Sequence, residues 1–219
     1  MTRVLEAELR AGLDALSLVL DDAQVAALLD YIALIQKWTK VYNLTAVREP
    51  HDMLTHHVLD SLAVVRPLRQ QLAELGLGRV VRVLDVGAGA GLPGVVLAIC
   101  FPEMAVHCVD TVAKKAAFVQ QVAVSLRLVN LRGIHARVES LAEPYDVVCS
   151  RAFASLADFT QWSVAALAPA GVWMAMKGKH PEVELTALTP DVAVFHVEPL
   201  QVPGLDAERC LVWMRRRVT

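Results

Sequence analysis

The stretch LDVGAGAGLPG, Leu84 to Gly94, carries the strongest chemical signal in this 219-residue chain. Gly87, Gly89 and Gly91 follow directly on an apolar run, and a new apolar run begins after Pro93. Glycines so spaced let a backbone take positive φ and come close to a ligand. Gly89, Gly91 and Gly94 also satisfy the dinucleotide fingerprint, and Asp110 supplies the acid about 20 residues farther on that such sites set against ribose hydroxyls. The motif alone does not choose between NAD and S-adenosylmethionine. Asp85, two residues before Gly87, argues for the second. A pyrophosphate wants helix N-terminal amides with no carboxylate nearby, whereas a methionyl ammonium and a sulfonium are cations that tolerate one.

Asp110 closes an apolar run, which puts it at the C-terminal end of a strand, where ligands of doubly wound sheets collect. There its carboxylate can accept both ribose hydroxyls, or it can serve as the N-cap of the following helix. Arg151 ends a later apolar run and faces the same edge, free to pair with a cofactor carboxylate, stack on a base or contact phosphate. For a methyl transferase the acceptor is constrained by what is missing. The segment CSRAFAS, Cys149 to Ser155, has none of the Asn- or Asp-Pro-Pro-aromatic pattern common among exocyclic-amine methylases. Cys149 lies inside the apolar run, a poor place for a thiolate nucleophile on a base carbon. Guanine N7 attacks with its own lone pair and loses no proton, so positioning outweighs acid–base chemistry there.

The elements that must hold these residues follow from periodicity. Val80–Val86, Ala105–Val109, Leu131–His135, Tyr145–Cys149 and Val172–Met176 read as strands, alternating with helices that run to Ala98, over Val112–Leu126 and over Leu156–Leu167. That rhythm calls for an α/β fold with a mostly parallel, doubly wound sheet. Val192–Val197 and Cys210–Met214, linked through Pro199, Pro203 and Gly204, suggest a closing antiparallel pair. The first part of the chain is helical. Asp21 and Asp22 are candidate N-caps for a helix whose Val25, Leu28, Leu29, Ile32, Ile35, Trp38 and Tyr42 recur at helical spacing. A further helix is predicted over Glu49–Val65, stopped by Pro67. Residues 1–75 are thus expected to form a helical extension packed on a main domain of residues 76–219.

The apolar content of 55% and mean hydropathy of +0.44 raise the question of a membrane. The most apolar stretch, Val80 to Phe101, is broken by Arg82, Asp85 and glycines, and no window offers the roughly 18 uninterrupted apolar residues of a spanning helix. No signal-peptide layout precedes it, so a cytoplasmic protein with no membrane partner is expected. The four cysteines, Cys100, Cys108, Cys149 and Cys210, show no zinc or redox spacing and read as buried thiols. His56, His57 and Asp60 lack a third convincing ligand group, so no metal is expected. A net charge of −2 is low for a protein that would grip naked RNA by charge alone, so any RNA contact must come from local patches. Lys37, Lys40, Arg48, Lys114, Lys115 and Arg215–Arg217 are the candidates, each equally readable as solvated surface.

One resemblance spans nearly the whole chain. KWTKVYNLTAVREP (Lys37–Pro50), HHVLDSL (His56–Leu62), the glycine turn, VDTVAKKAAFV (Val109–Val119), SRAFASL (Ser150–Leu156), MKGKHP (Met176–Pro181) and LQVPGLDAERCLV (Leu200–Val212) occur in this order. Together they closely resemble the RsmG family of 16S ribosomal RNA guanine-N7 methyltransferases, also called glucose-inhibited division protein B. The resemblance implies a class I methyltransferase fold, a Rossmann-like seven-stranded sheet with an N-terminal helical extension. It implies methyl transfer from S-adenosylmethionine to N7 of a guanosine in the 530 loop of 16S rRNA, within the small ribosomal subunit, by a monomeric enzyme. Carried over by position, the cofactor residues would be Gly87, Leu92, Val138, Glu139 and Arg151, with Asp110 at the ribose and Asp85, Gly89 and Gly91 shaping the turn. The family often has Ser where this chain has Thr111. Two alternatives stay open on the residues alone, an NAD-dependent oxidoreductase and a cofactor-binding RNA assembly factor without turnover.

Overall fold

The computed structural model describes residues 2–217. It opens with α1 (Thr2–Ala15) and α2 (Asp22–Tyr42). Asp21 starts α2 with a reciprocal cap: its carboxylate accepts from the Gln24 amide at 2.7 Å, and the Gln24 side chain accepts from the Asp21 amide at 3.0 Å. Val25, Leu28, Tyr31, Ile32 and Ile35 then form the buried stripe of the helix, and Asn43, left-handed at φ 50°, ends it.

The single helix expected over Glu49–Val65 is three segments. They are α3 (Pro50–Met53), a π-helical turn over Leu54–Leu59 and α4 (Asp60–Leu62), followed after Ala63 and Val64 by α5 (Val65–Leu75). Pro67 does not stop a helix. It sits in the first turn of α5, where a missing N–H leaves no helical bond unmade and the fixed φ suits the helix. Gly76, at φ 57°, ends α5.

The sheet contains β1 (Arg82–Val86), β2 (Ala105–Asp110), β3 (Leu131–His135), β4 (Tyr145–Arg151), β5 (Leu167–Lys177), β6 (Val192–Pro199) and β7 (Cys210–Arg216). Their order is β3-β2-β1-β4-β5-β7-β6. β7 lies antiparallel between β5 and β6, and the other neighbouring pairs are parallel. The seven-stranded, mostly parallel sheet is therefore present, with its antiparallel pair at one edge. β5 begins five residues earlier than its apolar run suggests, because Leu167 pairs with Tyr145 ahead of a register shift. The crossover helices are α6 (Gly94–Cys100), α7 (Ala113–Ser125) and α8 (Leu156–Ser163), and a short α9 (Glu182–Thr186) precedes β6.

Each face of the sheet is sealed separately. On one, Leu9, Leu28 and Ile32 of the N-terminal helices join Val95, Phe118, Val147 and Trp213 in one core. On the other, Leu84, Val148, Phe159 and Trp173 form the second. Strands buried on both faces explain the continuous apolar runs of the sequence. Among the described residues, no helix is long and apolar enough to cross a membrane. Strand order reverses between β1 and β4, and that reversal opens a crevice at their C-terminal ends.

Candidate functional site

The glycine turn leaves β1 at this crevice. Gly87, Gly89 and Gly91 all take positive φ, at 66°, 60° and 88°, so the three alternate glycines are a conformational requirement. The amides of Gly87 and Ala88 both donate to the Val109 carbonyl, at 2.9 and 3.2 Å, which fixes the turn to the end of β2. Asp110 continues the attachment. Its Oδ2 accepts from the Gly89 amide at 3.0 Å and its Oδ1 from the Val112 amide at 2.8 Å, with Lys115 Nζ 3.7 Å from Oδ2. Asp110 is not the N-cap of α7, which is Val112 with no side-chain cap, but its carboxylate ties the Val112 amide and stands at the strand edge. The extension helps from below. The buried Tyr31 hydroxyl of α2 donates to the Ala90 carbonyl at 2.6 Å.

Asp85 sits elsewhere than the cation argument requires. It is fully buried on the α6 side of β1, where Oδ2 accepts from the Gly94 amide at 2.8 Å and Oδ1 has no partner among the described residues. Burial pushes its carboxyl up to about 7, against the Gly94 hydrogen bond and the Arg151 charge, which act downward. It shapes the turn by holding both of its ends together, and near neutrality it is only partly ionised. A carboxyl whose folded pKa exceeds its unfolded value holds its proton better in the fold. Its stabilising contribution is therefore complete below pH 3.8 and is lost as pH rises through about 7. The melting temperature should fall between pH 5 and 8 by more than that of Asp85→Asn, with about 3 kcal/mol as the upper bound of the effect over that window. Parallel curves would mean that Asp85 ionises freely.

A cavity of about 430 Å³ lies over the turn, lined by Gly87, Asp110, Thr111, Lys115, Val138, Glu139, Ala152, Phe153 and Trp162, among others. Its floor has no room for a larger residue: a Cβ at Gly87 would lie 2.3 Å from the Phe153 ring. Val138 and Glu139 belong to a 3-10 turn after β3. The Glu139 carboxylate meets Arg137 at 3.0 Å, and its own backbone N–H, then that guanidinium, hold it below the ordinary range. Leu92 is not on the cavity. It is 4% exposed and belongs to the core, so only its backbone shapes the turn.

Arg151, at the end of β4, lines a second cavity of about 290 Å³, which meets the first at Ala152. Its Nη1 donates to the His56 carbonyl and to Asp60 Oδ2, both at 2.8 Å. Asp60 is 2% exposed, and its other oxygen accepts from Arg209 Nε at 2.8 Å. Lys177 also lines this cavity and is tied to the Ala154 carbonyl at 2.9 Å and to Glu184 at 2.7 Å. The π-helical turn carries His56 and His57 up to Asp60, a setting in which such turns are frequent. The Thr45 hydroxyl lies 2.8 Å from His57 Nε2, the buried Nδ1 has no partner among the described residues, and burial, the largest cause, lowers the His57 pKa.

Sequence reasoning missed Tyr31 and Arg209 as parts of the site, and weighed Asp60 beside His56 and His57 for a supporting or capping role without placing it against Arg151. The one signal for Asp60 and Arg209 was the presence of HHVLDSL and LQVPGLDAERCLV among the ordered motifs, and Tyr31 had none. Of the basic strip, Arg48 is spent on the Thr39 carbonyl and Asn43, while Lys37, Lys40 and Lys114 are exposed and stand outside both cavities.

Comparison with known proteins agrees with this geometry. The family model GidB, described as rRNA small subunit methyltransferase G, matches residues 24–212. A protein of Polaromonas sp. named ribosomal RNA small subunit methyltransferase G is 69% identical over 210 residues, covering 96% of this chain and 93% of the relative. Its namesake in Albidiferax ferrireducens is 67% identical over 220 residues, covering 98% of each chain. Among solved structures, the N-methyltransferase NodS of Bradyrhizobium japonicum, in complex with S-adenosyl-L-homocysteine, is 15% identical with a TM-score of 0.57, over 84% of this chain and all of that one. TrmN from Thermus thermophilus is 20% identical with a TM-score of 0.54, over 75% of this chain and 53% of that one. These two are likenesses of fold; the identities over nearly full length decide the family. The chain belongs to the rRNA small subunit methyltransferase G family.

Proposed function

We propose that this chain transfers a methyl group from S-adenosylmethionine to N7 of a guanosine in the 530 loop of 16S rRNA, with the small ribosomal subunit or its precursor as substrate. The observation that carries the reading is the pair of cavities meeting at Ala152, one floored by Gly87 and edged by Asp110, the other cationic. Donor and acceptor groups held in the two would adjoin.

The residues present fit the donor. Gly87 leaves the backbone bare at the floor, and Asp110, although it holds two amides, keeps further lone pairs for ribose hydroxyls. Val138 and Glu139 form the wall where an adenine would lie, and Arg151 stands at the boundary toward which the methionyl carboxylate would point. When bound, the donor supplies an activated methyl group. The remaining work of the protein is orientation and exclusion of water. Cys149 is fully buried and its thiol pKa is raised, first by burial, so it offers no thiolate. An acceptor nitrogen that gives up no proton is consistent with that arrangement. In this reading the enzyme works as a monomer in the cytoplasm.

Thermal unfolding tests the donor assignment. S-adenosylhomocysteine at about 100 times its dissociation constant should stabilise the fold by about 2.7 kcal/mol, and NAD and NADP should leave it unchanged. Stabilisation by NAD in place of S-adenosylhomocysteine would overturn the assignment.

A further inference from the structure

Arg209 belongs to the link between β6 and β7, far along the chain from Asp60, yet the two meet at 2.8 Å on the lip of the second cavity. Asp60 faces two cations, Arg151 on Oδ2 and Arg209 on Oδ1, and is itself 2% exposed. A buried carboxylate between two guanidiniums neutralises one positive charge of the two, so the cavity keeps a net positive lining. Neither arginine is saturated. Arg209 spends Nε on Asp60 and Nη1 on the Glu208 carbonyl, which leaves Nη2 without a protein partner among the described residues. Arg151 spends only Nη1, and its Nε and Nη2 are equally without one. The side chains of Arg151 and Arg209 are 20% and 24% exposed, so these N–H edges are open to a ligand. Lys177, paired with Glu184, joins Ala152, Met176 and Gly178 in the rest of the lining.

We infer that Arg209 is a phosphate ligand of the acceptor RNA strand, and that Asp60 is the positioning residue that aims it. Resting on the methyltransferase reading above, the inference identifies which part of the substrate the second cavity takes. A guanidinium suits a phosphodiester because its N–H edges match two oxygens at once. It suits the guanine ring poorly, since methylation at N7 makes that ring cationic and a second cation against it would oppose the reaction. Asp60 holds Arg209 through Nε, which restrains the guanidinium at the lip of the cavity. The same carboxylate holds Arg151 on the donor side, so one buried group sets the spacing between the donor pocket and the acceptor phosphate.

The experiment uses small subunits from a strain lacking this enzyme, labelled S-adenosylmethionine, and calorimetry with S-adenosylhomocysteine. For Arg209→Ala we expect S-adenosylhomocysteine affinity within twofold of wild type. We also expect KM for subunits to rise about tenfold or more. The slope of log affinity for subunits against log salt should become shallower by about 0.7–1, the signature of one lost phosphate contact. Arg209→Lys, which keeps the charge and loses the fork, should recover the salt slope but only part of the affinity. Asp60→Asn should raise KM without changing the salt slope, because the charge remains and only its aim is lost. Two results would overturn the proposal: a loss of S-adenosylhomocysteine affinity in Arg209→Ala with the slope unchanged, or no change in either quantity. Failure of the wild-type enzyme to methylate the subunits would instead refute the underlying function.

Discussion

Replacing Asp110 with alanine should lower S-adenosylhomocysteine affinity by tenfold at the least, and by about a hundredfold if both ribose hydroxyl bonds depend on it. A hydrogen bond to a charged partner contributes about 1.5–3 kcal/mol, and the carboxylate stands at the strand edge with capacity to accept two. The same substitution frees the Gly89 and Val112 amides, so the turn keeps only its Gly87 and Ala88 bonds to the end of β2 and the start of α7 loses a tie. Asp110→Asn separates the effects, because its amide oxygen can still accept one backbone N–H while the charge is gone. Alanine should therefore lower both affinity and melting temperature, and asparagine mainly affinity. An unchanged affinity with a lower melting temperature in both variants would leave Asp110 as a tether of the Gly89 and Val112 amides and nothing more.

Gly94→Ala should destabilise the fold by a clash alone, since Gly94 lacks the positive φ of Gly87, Gly89 and Gly91. The added Cβ would lie 2.3 Å from Cys108 Sγ and 2.9 Å from Asp85 Oδ2, on β2 and β1 respectively. Both strands are interior to the sheet and cannot yield, so the cost should reach the upper part of the overpacking range, about 3 kcal/mol. For a chain of this size that corresponds to a fall of about 6–12 °C in melting temperature. Cys108→Ala in the same chain removes the nearer atom and should recover part of the loss. Thermal unfolding of the two single variants and the double variant measures it; a Gly94→Ala protein that melts with the wild type would show that α6 is not packed as described.

Most of this architecture was legible along the chain because its signals are local. The glycine turn requires three alternating glycines whose conformations are positive in φ, and the apolar runs of β1, β2 and β4 are continuous because both faces of the sheet are covered. Two local signals misled. Pro67 reads as a stop, but in the first turn of α5 it costs no hydrogen bond. Asp85 reads as a charge beside the ligand, but strand alternation turns it toward α6 and away from the cavity. What stayed hidden is non-local. The Asp60 bonds to Arg151 and Arg209 join residues 91 and 149 positions apart, and no periodicity encodes such a meeting. Tyr31 was hidden for the same reason, since nothing in α2 marks one buried aromatic as the support of a turn 59 residues away.

The most direct test of the central claim is methyl transfer to small ribosomal subunits prepared from cells that lack this enzyme. One methyl group per particle should be incorporated from labelled S-adenosylmethionine, and nuclease digestion should release it as 7-methylguanosine. Because that base becomes labile to borohydride and aniline, strand scission should locate it at a single guanosine in the 530 loop. Label found on adenine, on cytosine or in protein, or a 7-methylguanosine outside that loop, would contradict the account.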